Sequence, residues 1–219
     1  MYVHAIITTV ALAAAPFASE ASAEALACAV RVASVAPAAA PYLRRALENA
    51  QRIYRTIGVE IVWLNQDDGT SSAPPLLRQV QLVLLARARG AATALPEQLG
   101  VALQTDDRPI AAYVFFDRIE RIASEHAVAV EDVLATVIAH EIAHLILRSG
   151  AHSAAGLMGA RWDRRELIEA SQGQLRFSAD VQALMRRQLD IVVMISDRST
   201  TTPESGREPP EVAPVRRRK

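Results

Sequence analysis

The chain has 219 residues, 24 basic and 24 acidic side chains, and a hydrophobic fraction of 51%. A formal net charge of zero excludes a global field that would draw nucleic acid or an anionic membrane, and the length suits one well-buried domain with some chain to spare. The single cysteine, Cys28, excludes an intramolecular disulfide.

The first 23 residues carry the pattern of an export signal. Ala5–Ala18 is apolar and Ala21-Ser22-Ala23 ends in small-x-small, which suits signal peptidase. Pro16 and Glu20 interrupt the apolar run, which is too short to span a bilayer. The expected product is exported, periplasmic or secreted, with no stable membrane insertion once the signal is removed. Leu26-Ala27-Cys28 is a poor lipoprotein site, because the leucine stands one place too close to the cysteine.

Residues 24–195 are expected to form the domain. Cys28–Val35 alternates in the manner of a strand. From Pro41 the apolar residues Leu43, Ala46, Leu47, Ala50, Ile53, Tyr54 and Ile57 recur at three and four, which predicts a helix with one buried stripe. Pro41 suits its first turn and Gly58 the residue just past its end. Val59–Leu64 is a second strand, and Asn65–Pro75 is a polar loop. Val80–Ala86 is almost wholly apolar, so this third strand should lie inside the sheet. Arg87–Gln98 is irregular, Leu99–Thr105 is a short strand, Asp106–Pro109 a turn and Ile110–Phe116 a strong strand. Asp117–His126 predicts a short helix.

Glu131–Ser149 is the best helix in the chain. Val133, Leu134, Val137, Ile138, Ile142, Leu145 and Ile146 form its buried face, and Glu131 and Asp132 complement the dipole at its start. Beyond Met158 come Trp162–Gln172 and then a helix near Ala179–Leu189. From Ser196 the chain turns to Ser, Thr, Pro, Glu and Arg, too polar to build a core, so 196–219 is expected to be a disordered tail. A helix between the first two strands implies a parallel pair with a crossover. The expected fold class is α+β: a mixed, mostly parallel sheet of about five strands, a long active-site helix on one face, and a small helical C-terminal part.

Three of the five histidines fall within thirteen residues: His140-Glu141-Ile142-Ala143-His144 and then His152. Positions 140 and 144 lie about 40° apart around a helix and ~6 Å apart along it, so their ring nitrogens can converge on one zinc ion. Glu141 falls at the edge of that face. There its carboxylate can reach a water on the metal and act as general base without becoming a ligand. A catalytic zinc has three protein ligands and an open position. His152 is the leading third ligand, since Gly150 can turn the chain back beneath the helix. Glu166 and Glu169 are the competing third ligands. Met158 either forms an apolar floor under the metal or packs in the core.

The segment HEIAHLILRSGAHSAAGLM resembles the active-site segment of the zincin metallopeptidases, metzincins in particular. In those proteins H-E-x-x-H is followed by a turn glycine, a third histidine and a methionine turn. Most of Cys28–Leu189 is also similar to a group of uncharacterised exported bacterial HExxH proteins, through stretches resembling GVEIVWL, AYVFFDRIE, HEIAHLIL, HSAAGLM and LRFS. The chain departs from metzincins at Leu147, where they carry the glycine, and at Gly150, where they carry the third histidine. The resemblance therefore implies a metzincin-like zincin whose connection to the third ligand is two residues longer. No tyrosine stands after Met158 to stabilise an oxyanion; Arg161, Arg148 and Tyr113 are the substitutes.

By analogy with that fold, Leu99–Thr105 is the edge strand above the cleft, to which an extended peptide can add. The expected function is zinc-dependent peptide-bond hydrolysis of a peptide or protein substrate by a monomer. The zinc ligands are His140, His144 and His152, and the base is Glu141. Two alternatives stand beside it: a peptidase with Glu166 or Glu169 as third ligand, and a non-catalytic binding protein stabilised by zinc.

Overall fold

The computed structural model describes residues 26–65, 78–88, 97–104 and 109–200. The expected export signal, the expected loop at Asn65–Pro75 beyond its first residue, most of the irregular stretch Arg87–Gln98, the expected turn at Asp106–Pro109 except Pro109, and residues 201–219 lie outside them.

Alternating apolar residues give β1 (Leu26–Val35), and a 3-10 turn at Pro37–Ala39 leads into α1 (Ala40–Arg55). Pro41 sits in the first turn of α1, where a missing N–H costs nothing. Gly58 follows with φ +73°, a left-handed conformation that only glycine adopts freely. The chain then forms β2 (Val59–Asn65), β3 (Arg78–Leu85), β4 (Gly100–Gln104) and β5 (Pro109–Phe115). The strand order is β2-β1-β3-β5-β4. All pairings are parallel except β4 with β5. The architecture is therefore the α+β arrangement expected, with a five-stranded, mostly parallel sheet. The apolar β3 lies at its centre and β4 at its antiparallel edge.

Five helices complete the described fold: α1, α2 (Phe116–His126), α3 (Val130–Leu147), α4 (Arg164–Ser171) and α5 (Ala179–Thr200). Among the described residues, no helix is long and apolar enough to cross a membrane. Helix α3 differs from expectation. The sequence suggests one buried face, but every residue from Val133 to Ile146 is buried. The physical reason is that α3 is enclosed, packing on β4 and β5 on one side and on α1, α2, α4 and α5 on the others. Ala135, Ala139 and Ala143 recur every fourth residue and form a stripe of small side chains on α3, while α1 buries Ala46 and Ala50. The Tyr54 hydroxyl donates to the Ala139 carbonyl at 2.7 Å, so the large buried ring of α1 is anchored to α3 without an unsatisfied polar group.

Helix α5 runs to Thr200, past the Leu189 expected for its end and past Ser196, where the tail was expected to start. No glycine or proline stands between Ala179 and Thr200, so nothing in the backbone stops the helix at Leu189 or at Ser196.

Candidate metal centre

His140 and His144 stand on consecutive turns of α3, and their Nε2 atoms face each other at 3.0 Å. His152, from the loop after α3, stacks on His140 with ring centroids 5.3 Å apart and meets His144 edge-on at 4.9 Å. One ligating atom from each of the three lies within 4.8 Å of the others. The two helical imidazoles are buried and His152 is exposed.

The tautomers follow from the partners. His140 Nδ1 lies 2.8 Å from the Leu157 carbonyl, and His144 Nδ1 lies 2.7 Å from the Ser149 carbonyl. A carbonyl only accepts, so each Nδ1 carries the proton and each Nε2 carries a lone pair. Two lone pairs therefore face each other across 3.0 Å with no proton between them, an arrangement a shared cation satisfies. Burial pushes His140 down to about 4, and the neighbouring His144 and His152 add to this while the Leu157 hydrogen bond opposes it. Burial also lowers His144. Neutral imidazole is the form a metal needs, and three imidazoles with an open side are the donor set of a zinc site that keeps a free position.

The loop beneath the histidines is held by its own backbone. Ser153 N–H donates to the Met158 carbonyl at 2.8 Å, and Leu157 N–H donates to the Arg176 carbonyl at 2.9 Å. Gly156 has φ +78°, and a Cβ there would lie 2.8 Å from the Arg176 carbonyl oxygen. Glycine is thus required twice over, by conformation and by space. These bonds present the Leu157 carbonyl to His140. Trp162 meets the His140 ring edge-on at 5.4 Å, and its indole N–H donates to the Gly156 carbonyl at 3.2 Å. Met158 is buried in the main core cluster.

The turn to His152 is built differently from expectation. The left-handed residue is Arg148, at φ 51°, and Gly150 is not left-handed. The cause is position: Arg148 directly follows the last helical residue, and its N–H caps the His144 carbonyl. Ser149 then offers its carbonyl to His144 and its hydroxyl to the Ala151 N–H at 3.1 Å.

Glu166 and Glu169 are engaged elsewhere. Glu166 forms a capping box with Asp163 at the start of α4, and Glu169 pairs with Arg165 at 3.0 Å. Neither belongs to the histidine group.

Glu141 is buried beside the histidines, and the backbone amide of Ala102 on β4 donates to its carboxylate. Both groups line a cavity of about 570 Å³ between β4 and the 159–162 loop, whose apolar walls include Leu99, Ile122, Val137 and Leu167. At its rim Arg161 pairs with Glu97 at 2.9 Å. Of the three suggested oxyanion stabilisers, Arg161 lines the cavity, and Tyr113 and Arg148 are not among its lining residues. Sequence reasoning missed Gly100, Ala102 and Gln104. The Gln104 side chain donates to the His144 carbonyl at 2.7 Å, tying β4 to the end of the histidine helix. The sequence carries no motif for these contacts, because they arise from strand-to-helix packing.

Burial pushes the Glu141 carboxyl up from 4.5 to about 8, with the Ala102 amide opposing. Metal-free native protein then holds a proton that the unfolded chain releases above about 4.5, so this group lowers stability as pH rises from 4.5 to 8. His140 and His144 act oppositely, adding stability as pH rises toward 6.5. Above 6.5 only the Glu141 effect continues. Metal-free protein should therefore be less stable at pH 8 than at pH 6.5 by up to about 2 kcal/mol, and Glu141→Gln should abolish that difference. Urea unfolding of chelator-treated protein at the two pH values measures it.

No family model matches the sequence, and no curated protein matches it. Among solved structures the chain is similar to an archaemetzincin from Methanopyrus kandleri, at 16% identity and a TM-score of 0.40, over 75% of this chain and 94% of that one.

Proposed function

We propose that the protein is an exported zinc-dependent peptidase, in which His140, His144 and His152 hold the metal and Glu141 is the general base. The observation that carries this reading is the pair of Nε2 lone pairs 3.0 Å apart, with a third imidazole beside them and a buried carboxylate on the next helical residue. The second reading, a zinc held only for folding, calls for four protein ligands. Among the described residues the ligating group has three, which favours a reactive site.

When bound, zinc supplies Lewis acidity and lowers the pKa of a water. The chain does the rest. A carboxylate oxygen of Glu141 takes the proton of the attacking water and returns it to the departing amide nitrogen. The Leu157 and Ser149 carbonyls keep the two helical imidazoles in one tautomer and one orientation. Leu99 accepts from Phe115 N–H at 2.9 Å, so the antiparallel alternation leaves the Gly100 main chain and the Ala102 carbonyl on the free edge of β4, the Ala102 amide being taken by Glu141. An extended peptide can pair there without sequence preference, while the apolar walls accommodate an apolar side chain. Arg161 at the rim is the cation placed to stabilise developing negative charge.

The test is metal removal. Purified protein should cleave an unstructured protein substrate, lose the activity in 1,10-phenanthroline, and regain it on addition of stoichiometric zinc. Cleavage that survives complete zinc removal would sink the proposal.

A further inference from the structure

A glycine inside a strand weakens it and calls for a reason. Gly100 opens β4, and its φ is not in the left-handed region, unlike Gly58, Gly156 and Gly173. Conformation therefore does not explain it. Space does. A Cβ at this position would lie 2.7 Å from Glu141 Oε1, 2.8 Å from its Cγ and 2.9 Å from its Cδ, all closer than non-bonded atoms approach. The volume a side chain would occupy is filled by the carboxylate arm of Glu141. Two residues on, the Ala102 amide donates to that same carboxylate, and two further on, Gln104 holds the His144 carbonyl. Alternate residues of β4 thus grip α3 at its base and at a metal-ligating turn.

We propose that Gly100 is a positioning residue for Glu141: its missing side chain leaves the space through which the carboxylate arm reaches the Ala102 amide and the cleft together. This rests on the peptidase reading for its catalytic consequence, though not for its structural one. Gly100→Ala pushes the Glu141 arm aside. A displacement on the order of 1 Å at a reacting group can cost ~100-fold in rate. The three nearest atoms such a Cβ would meet all belong to Glu141 and none to a histidine, so the zinc ligands keep their geometry.

The experiment is a double-mutant cycle on the full chain. With zinc bound, Gly100→Ala should retain the metal, lower kcat about 100-fold and leave KM within about threefold. In a Glu141→Asp background, whose carboxylate is retracted by one methylene, the same Gly100→Ala step should change kcat by less than about threefold. Wild-type kcat in Gly100→Ala, or an equal loss in both backgrounds, would overturn the proposal. A second readout needs no activity. In metal-free protein, Gly100→Ala should lower the melting midpoint by roughly 4 °C or more, and should not lower it when Glu141 is alanine. An equal fall in both backgrounds overturns the proposal, as does failure of the Gly100→Ala/Glu141→Ala protein to fold. If wild type cleaves nothing, the peptidase reading fails and the melting cycle still decides the role of Gly100.

Discussion

Replacing His152 by alanine is expected to weaken zinc binding by more than about 100-fold, with the same result for His140→Ala and His144→Ala. The bound is set by analogy: losing even a group that only orients a ligand costs 10- to 100-fold in metal affinity, and these residues are proposed to touch the metal themselves. His152→Ala is the most informative of the three. His152 is exposed and bears no core packing, so its removal tests ligation without testing folding. Glu166→Ala and Glu169→Ala should retain full zinc, because one carboxylate caps α4 and the other pairs with Arg165. Competition against a chromophoric chelator, with zinc content measured on the purified proteins, separates the two ligand sets. Zinc loss in Glu166→Ala with retention in His152→Ala would exchange the third ligand.

Glu141→Gln should lower kcat for peptide hydrolysis by about 10²- to 10⁴-fold, the range a positioned general base supplies, while zinc content stays that of wild type. Glutamine keeps the shape, and its side-chain carbonyl can still accept from the Ala102 amide. What it loses is the ability to take a proton. The loss should fall on kcat rather than KM, because the carboxylate acts in the transition state and not in binding the peptide. Hydrolysis at the wild-type rate in Glu141→Gln would remove the general base from the mechanism.

The two halves of the site were unequally visible in the sequence. The approach of His140 to His144 was legible because helical geometry alone fixes what i and i+4 can do together. For His152 the sequence points to a turn at Gly150; the structure brings its ring to the other two but turns the chain at Arg148. The error is physical: a left-handed cap sits directly after the last helical residue, and the sequence does not mark that residue to within one or two positions. The sheet was legible as strands and as mostly parallel, since β1, β2, β3 and β5 each carry their own apolar pattern. The enclosure of α3 was not, because alanine at 135, 139 and 143 is small enough to be read as either exposed or buried. The grip of Gly100, Ala102 and Gln104 on α3 was invisible for a different reason. It depends on which strand lies beside which helix, and three unremarkable residues carry it.

In the proposed centre three imidazoles hold one zinc and leave a position open. X-ray absorption at the zinc K edge of the stoichiometric zinc protein measures it most directly. Three imidazole nitrogens and one further light scatterer are expected at about 2.0–2.1 Å, falling to two imidazoles in any metal retained by His152→Ala. A shell of four protein ligands, or a sulfur scatterer at about 2.3 Å, would contradict it.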